Sequence, residues 1–366
     1  MTNTPIITPS EMLGYMNYSF SKGANIHFHG ASGIGKTDIV RAGAKAQAAA
    51  LGATFYEVGK DPVPANLDNA YAFITFLTST MDCLDIKGAP QIADGKTAFR
   101  PNSLLPDASR HGRYGMLFLD EISQGMPSVT NGLTGILLGG QLGDYTFPEK
   151  WHIAACSNRR QDNANIQKLG AQVHQRFNNY EVNASVKDWA AYQIAQGSNG
   201  MVPAFLRLSG DGPDGLLHTY KKGDICFASP RSWSKVDELI SDGVITDQKM
   251  RENIAASMVG VAAASTLEGF LAMASQLTTW QAISTDPMTA RLPESGSGGI
   301  SAMFALIGMM CQNVTRDTLA NAICYLERMP KEFQQTFMLD LQTKSPDLMD
   351  TLEVSRWRSN NNDFAV

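Results

Sequence analysis

The chain has 366 residues, 43% hydrophobic and 18% charged, with 30 Lys and Arg against 35 Asp and Glu for a net charge of −5. That length allows two or three domains with substantial cores, no run of eighteen apolar residues is present to cross a membrane, and no overall basic excess marks a nucleic-acid binder. Five cysteines without C-x-x-C spacing argue against a disulfide framework, and the Met1 to Pro9 stretch lacks the basic then apolar build of a secretory signal, so a cytoplasmic location is expected.

In chain order, Ser10 before an apolar-periodic run predicts a short capped helix. Asn25 to His29 reads as a strand, with His27 and His29 on one face of it as residues near the following loop, and the Ala-rich stretch from Asp38 to Ala50 reads as a helix. Strands follow at Thr54 to Val58 and Ala72 to Leu77. The stretch from Asp85 to Pro106 is rich in turn formers and reads as an insertion. Tyr114 to Glu121 is an apolar strand ending in two carboxylates; Pro127 to Leu138 is a helix, Gly139 to Pro148 a hairpin, and Trp151 to Asn158 a buried strand. A helix over Ala164 to Gln175 and a strand near Tyr180 complete an alternating pattern, which predicts an α/β fold with a parallel sheet flanked by helices. From Ser185 helices dominate: Val186 to Ala195, Arg231 to Ile240, Asp247 to Val259, Ala262 to Gln281, Ile300 to Met310, Thr315 to Arg328, Lys331 to Leu341 and Pro346 to Arg356. The small, polar Thr285 to Gly299 stretch is the linker candidate. The expected division is an α/β domain over 1–184, a helical lid over 185–285, a flexible linker over 286–299 and a helical extension over 300–366.

Gly30-Ala31-Ser32-Gly33-Ile34-Gly35-Lys36-Thr37 fits G-x-x-x-x-G-K-[ST], and the strand before it and the helix after it are the context that motif needs. Its glycines let backbone N–H groups curl around phosphates, the helix N-terminus adds its positive dipole end, and Gly30 to Asp38 are the expected nucleotide-binding positions. Lys36 is then the phosphate cation, with Thr37 on Mg²⁺. The Asp120-Glu121 pair supplies the complement: Asp120 for the metal shell, and Glu121 to polarise a water for attack on the γ-phosphate. The cofactors expected are ATP and Mg²⁺, and no N-K-x-D segment is present to read guanine.

These parts, over residues 8 to 240, resemble the AAA+ ATPases and within them the MoxR-like branch: the phosphate loop, Asp85-Ile-Lys-Gly-Ala-Pro90, Leu119-Asp-Glu-Ile122, the Gly140 to Tyr145 hairpin, Asn158, Gln175-Arg176-Phe177, and Ala228-Ser-Pro-Arg231 occur in the family's order. The resemblance implies that Asn158 is the sensor 1 residue positioning the water. It implies that Arg176 is an arginine finger acting on a neighbouring subunit, with Arg159 and Arg160 as competitors, and that Arg231 in the lid is sensor 2. It further implies a homo-oligomeric, hexameric ring whose ATP hydrolysis remodels or activates a protein partner, such as a von Willebrand factor A domain protein. Phe99 and Tyr145 would face such a ring's channel. The sequence departs from the pattern at His174-Gln175, where many members carry another arginine, and at Ser157, where glycine is common. Two other readings stay open: a nucleotide-switched assembly scaffold with slow turnover, and a DNA-directed motor or loader, which the acidic balance disfavours.

Overall fold

The run Tyr114–Asp120 is apolar at successive positions, and a computed structural model of the chain buries both of its faces inside a parallel sheet. The structure describes residues 4–93, 96–100, 102–142, 144–159, 169–211, 215–221, 223–293 and 297–361. It divides into two units, Met1–Asn183 and Ala184–Val366.

The first unit runs β1 (Ile6–Ile7), α1 (Met12–Ser21), β2 (Asn25–Gly30), α2 (Lys36–Ala50), β3 (Thr54–Glu57), β4 (Ala70–Leu77), α3 (Cys83–Lys87), β5 (Ala89–Ala93), β6 (Lys96–Arg100), α4 (Ala108–His111), β7 (Tyr114–Asp120), α5 (Pro127–Gly139), β8 (Gln141–Leu142), β9 (Tyr145–Thr146), β10 (Trp151–Asn158), α6 (Ala171–His174) and β11 (Phe177–Val182). Among the described residues, seven strands form one sheet in the order β1-β11-β2-β10-β7-β4-β3, every pair parallel. β2 and β7, which carry the two motifs, therefore flank β10, and their C-terminal ends open on the same edge of the sheet, where open α/β sheets place ligands.

Several local expectations change. The first helix is not capped by Ser10: its N-cap is Glu11, whose carboxylate accepts from the Thr8 amide at 2.7 Å. The turn-rich insertion holds a regular antiparallel hairpin, β5 with β6, in register Pro90 to Phe99 and Ile92 to Thr97. Ala89 to Ile92 and Phe99 are exposed, and strand residues that are not buried carry no apolar alternation, so periodicity could not reveal the ribbon. Ile92 and Phe99 stand 86% and 52% exposed on one face of that ribbon. Tyr145, by contrast, is buried and donates to the Pro106 carbonyl at 2.7 Å, so it is a packing residue rather than a channel one. Of the helix expected over Ala164 to Gln175, residues 164–168 lie outside those described, and α6 accounts for its end.

The second unit is helical among its described residues: α7 (Val186–Ala195), α8 (Met201–Ser209), α9 (Pro230–Asp242), α10 (Gln248–Val259), α11 (Val261–Ala274), α12 (Trp280–Thr285), α13 (Ser297–Asn313), α14 (Leu319–Leu326), α15 (Lys331–Lys344) and α16 (Leu352–Asn360). α8 was not among the predicted helices; its Pro203 lies in the first turn, where a proline gives up no intrahelical bond. The segment 286–293 is fastened to neighbouring helices. Thr278 and Tyr325 both donate to the Arg291 carbonyl, at 2.7 and 2.8 Å, and Arg328 donates to the carbonyls of Ala290, at 2.9 Å, and Pro287. The donors come from elsewhere in the chain, so the segment's own composition could not announce them.

Asp237 of α9 is 4% exposed and accepts from the Ser198 hydroxyl at 2.7 Å. Burial pushes its carboxyl up to about 6, against the pull of Ser198. Since this lies above the unfolded value, the folded state holds an extra proton between about pH 4 and 6. The associated stability is present at low pH and is lost as pH rises through 6. Asp237→Asn should remove that slope: its thermal midpoint relative to wild type is expected to rise between pH 4 and 7, by the equivalent of about 2 kcal/mol. A difference that stays flat across this range would contradict the assignment.

Candidate nucleotide site

β2 delivers the chain into the loop at Gly30, where any side chain is excluded: an added Cβ would lie 2.6 Å from the Val182 carbonyl and 2.7 Å from Ile34 Cδ1. The turn into α2 is made at Gly35, the helix N-cap, with φ +87°. Only glycine holds that conformation without cost. Ala31 and Ile34 are buried and brace the loop from within, while Ser32 is exposed. Lys36, the first helical residue, is 8% exposed. Its ammonium donates to the carbonyls of Gly30 at 2.9 Å and Ala31 at 2.7 Å, and reaches Asn158 Oδ1 at 3.4 Å. A positive charge is thus concentrated where the helix N-terminus opens. Asp38 is exposed, and its side chain turns to Arg41 at 2.7 Å.

The second motif meets the first directly. Thr37 Oγ1 donates to Asp120 Oδ2 at 3.0 Å, joining the first turn of α2 to the end of β7. Asp120 Oδ1 accepts from the Glu121 amide at 3.0 Å. Glu121 itself sits at φ 53°, ψ 38°, the only positive φ among the described non-glycine residues. Such a conformation costs about 1–3 kcal/mol and persists only where the surroundings impose it. Two residues that the sequence did not single out do so. Thr78 donates to the Asp120 carbonyl at 2.9 Å, and Ser79 donates to Glu121 Oε2 at 3.0 Å. Both follow β4, the neighbour of β7, and the polar Thr78-Ser79-Thr80 run closing an apolar strand was the available signal.

Asn158 ends β10 in register with Gly30; the β7 to β10 ladder closes earlier, at Ala155 with Leu119, so Asn158 lies by the loop and Lys36 rather than level with Asp120. Arg176 is exposed, just after α6, and its carbonyl accepts from the Asn25 side chain at 3.2 Å. Arg159 is committed within its own unit, to Glu181 at 3.7 Å and Asn183 at 3.4 Å, which weakens its candidacy as a group for a neighbour. Arg160 lies outside the described residues. Arg231 is exposed on the first turn of α9 in the second unit, behind a Ser229 cap that accepts from the Ser232 amide at 3.2 Å. No described helix is long and apolar enough to cross a membrane.

No family model matches the chain, and no curated protein is similar to it. Solved structures with loose likeness include a point mutant of Thermotoga maritima RuvB, 13% identical over 72% of this chain and 69% of that one, with a TM-score of 0.40. The Thermotoga maritima RuvB Holliday junction branch migration motor is 14% identical over 72% and 68%, with a TM-score of 0.33. A closed-state reconstruction of Hsp104 with ATPyS and FITC casein is 14% identical over 73% and 44%, with a TM-score of 0.36. Superpositions this loose assign no activity or partner to the chain.

Proposed function

We propose that this chain is a Mg²⁺-dependent ATPase of the AAA+ type, in its MoxR-like branch, working in the cytoplasm as a homo-oligomeric, hexameric ring that remodels or activates a protein partner. The observation that carries the reading is the meeting of Thr37 with Asp120 beneath Lys36, with Glu121 held in a strained conformation next to them. A hydroxyl and a carboxylate oxygen 3.0 Å apart are a hard-oxygen donor pair that suits Mg²⁺. Bound there with the nucleotide, Mg²⁺ would neutralise charge on the β- and γ-phosphate oxygens.

The chain's own groups divide the remaining work. Lys36 supplies a cation at the loop, and Asn158, in contact with Lys36, orients the attacking water. Glu121 accepts that water's proton as it attacks the γ-phosphorus and ADP leaves. Arg176, exposed after α6, acts on a neighbouring copy's nucleotide, and Arg231 serves as the lid's sensor. Ile92 and Phe99 on the β5–β6 ribbon offer an apolar contact for a protein partner, for which the family resemblance suggests a von Willebrand factor A domain protein. A second reading, the nucleotide-switched scaffold, is favoured by the Ser79 bond, which engages one of the two carboxylate oxygens that Glu121 needs.

The test is steady-state ATP turnover per chain against protein concentration, for wild type and Arg176→Ala, with mass from light scattering in the same samples. Turnover is expected to rise as the oligomer forms, and Arg176→Ala should assemble yet lose about 10³-fold or more. A wild type that binds ATP and assembles without turnover would leave the scaffold as the better account.

A further inference from the structure

On the face of β2 that carries His27 and His29, three more elements bring polar side chains together: β10 supplies Ser157, β11 supplies Asn179 and α6 supplies His174. One imidazole nitrogen from each of the three histidines lies within 4.8 Å of the other two. The hydrogen bonds decide where the protons are. Asn179 Nδ2 donates to the carbonyls of His174 and Phe177, at 2.8 Å each, so Asn179 Oδ1 faces the rings as an acceptor. His29 Nε2 and His174 Nδ1, each 3.3 Å from that oxygen, must therefore carry hydrogens. His29 Nδ1 is then the acceptor for the Ser157 hydroxyl at 3.0 Å, and Ser157 in turn accepts from His27 Nε2 at 3.0 Å. The chain of protons ends on His27 Nδ1, a buried lone pair with no hydrogen-bond partner among the described residues, on a side chain that is fully buried. His174 keeps its lone pair on Nε2. A buried unpaired acceptor is costly, and a bound ligand would relieve it.

We propose that His27, His29 and His174 form a binding site for a divalent transition-metal ion of the zinc type. Three imidazole nitrogens are a ligand set that Zn²⁺ takes, and nitrogen donors distinguish it from the oxygen pair of Thr37 and Asp120, which suits Mg²⁺. Burial first, then the neighbouring His29 and His174, lower the affinity of His27 for a second proton. Burial also lowers His29, opposed by the Asn179 bond. Ser157 and Asn179 are the outer partners that fix ring orientation. His29 would exchange one of its two bonds for the ion. Charge cuts both ways: Lys36 is near enough to act on His27 and His29, while the Glu181 carboxylate acts on His29 with the opposite sign. An ion here would tie α6 to β2, two residues before Arg176. Any effect on turnover rests on the ATPase reading above, whereas binding does not.

The experiment titrates tag-free, chelator-treated full-length protein with Co²⁺ in excess Mg²⁺, without nucleotide, following the intense visible bands of four-coordinate Co²⁺. Expected are saturation at one Co²⁺ per chain, displacement by Zn²⁺, and at least tenfold weaker binding in His174→Gln. His174 is only partly buried, and His29→Gln serves as the second variant should the first fail to fold by circular dichroism. A wild type without these bands, or one whose binding survives both substitutions, overturns the site. No turnover is read, so failure of the ATPase reading leaves this result standing.

Discussion

Glu121→Gln is expected to lower ATP turnover by about 10²- to 10⁴-fold, the range that a positioned general base contributes, while leaving nucleotide binding and assembly intact. Gln keeps the length and one carbonyl oxygen to accept from Ser79, so the left-handed backbone and the Thr78 and Ser79 contacts have no reason to move. What it loses is the capacity to take a proton. Single-turnover hydrolysis and equilibrium binding of a labelled nucleotide, measured on the same preparation, separate the two. A loss of less than tenfold with unchanged binding would remove Glu121 from the base role and point to another group for the water.

Arg207→Ala is expected to destabilise the second unit by about 3–5 kcal/mol, the cost of leaving one partner of a buried ion pair alone. Arg207 on α8 grips Asp340 on α15 with two parallel bonds of 2.6 and 2.5 Å, and the Asp340 side chain is only 4% exposed. Burial raises the Asp340 carboxyl even with the guanidinium pulling it down, so without Arg207 the group stays buried and protonates more readily. In scanning calorimetry the transition of this unit should fall by about 10 °C. Replacing both partners by apolar residues of similar volume should recover most of the loss, because the charge left behind, more than the missing bond, carries the penalty. A single variant within about 1 kcal/mol of wild type would contradict the account.

The reach of the sequence follows from how far apart the interacting residues lie. The phosphate loop, the strand before it and the helix after it were legible because every constraint acts within a dozen residues: Gly30 ends the strand, Gly35 makes the turn, and Lys36 and Thr37 follow at once. The Asp120-Glu121 pair was legible for the same reason, as was the parallel α/β sheet, since alternating strands and helices are local patterns. The β5–β6 ribbon and α8 were not: the described residues of β5 are exposed and show no apolar alternation, and α8 carries a proline in its first turn.

Two features of the site were decided by tertiary structure. The hold on Glu121 by Ser79, 42 positions away, depends on β4 pairing beside β7, and no spacing in the chain encodes a pairing between non-consecutive strands. The gathering of His27, His29, Ser157, His174 and Asn179 spans three strands and a helix, with hydrogen-bonded partners up to 150 positions apart, as in His29 and Asn179. By itself the sequence determined which chemistry the loop and the carboxylate pair can offer, because that depends on residue types at short range. Which polar groups meet, which stay buried without a partner and which backbone is held under strain depended on packing, because each is set by neighbours that only the folded chain brings together.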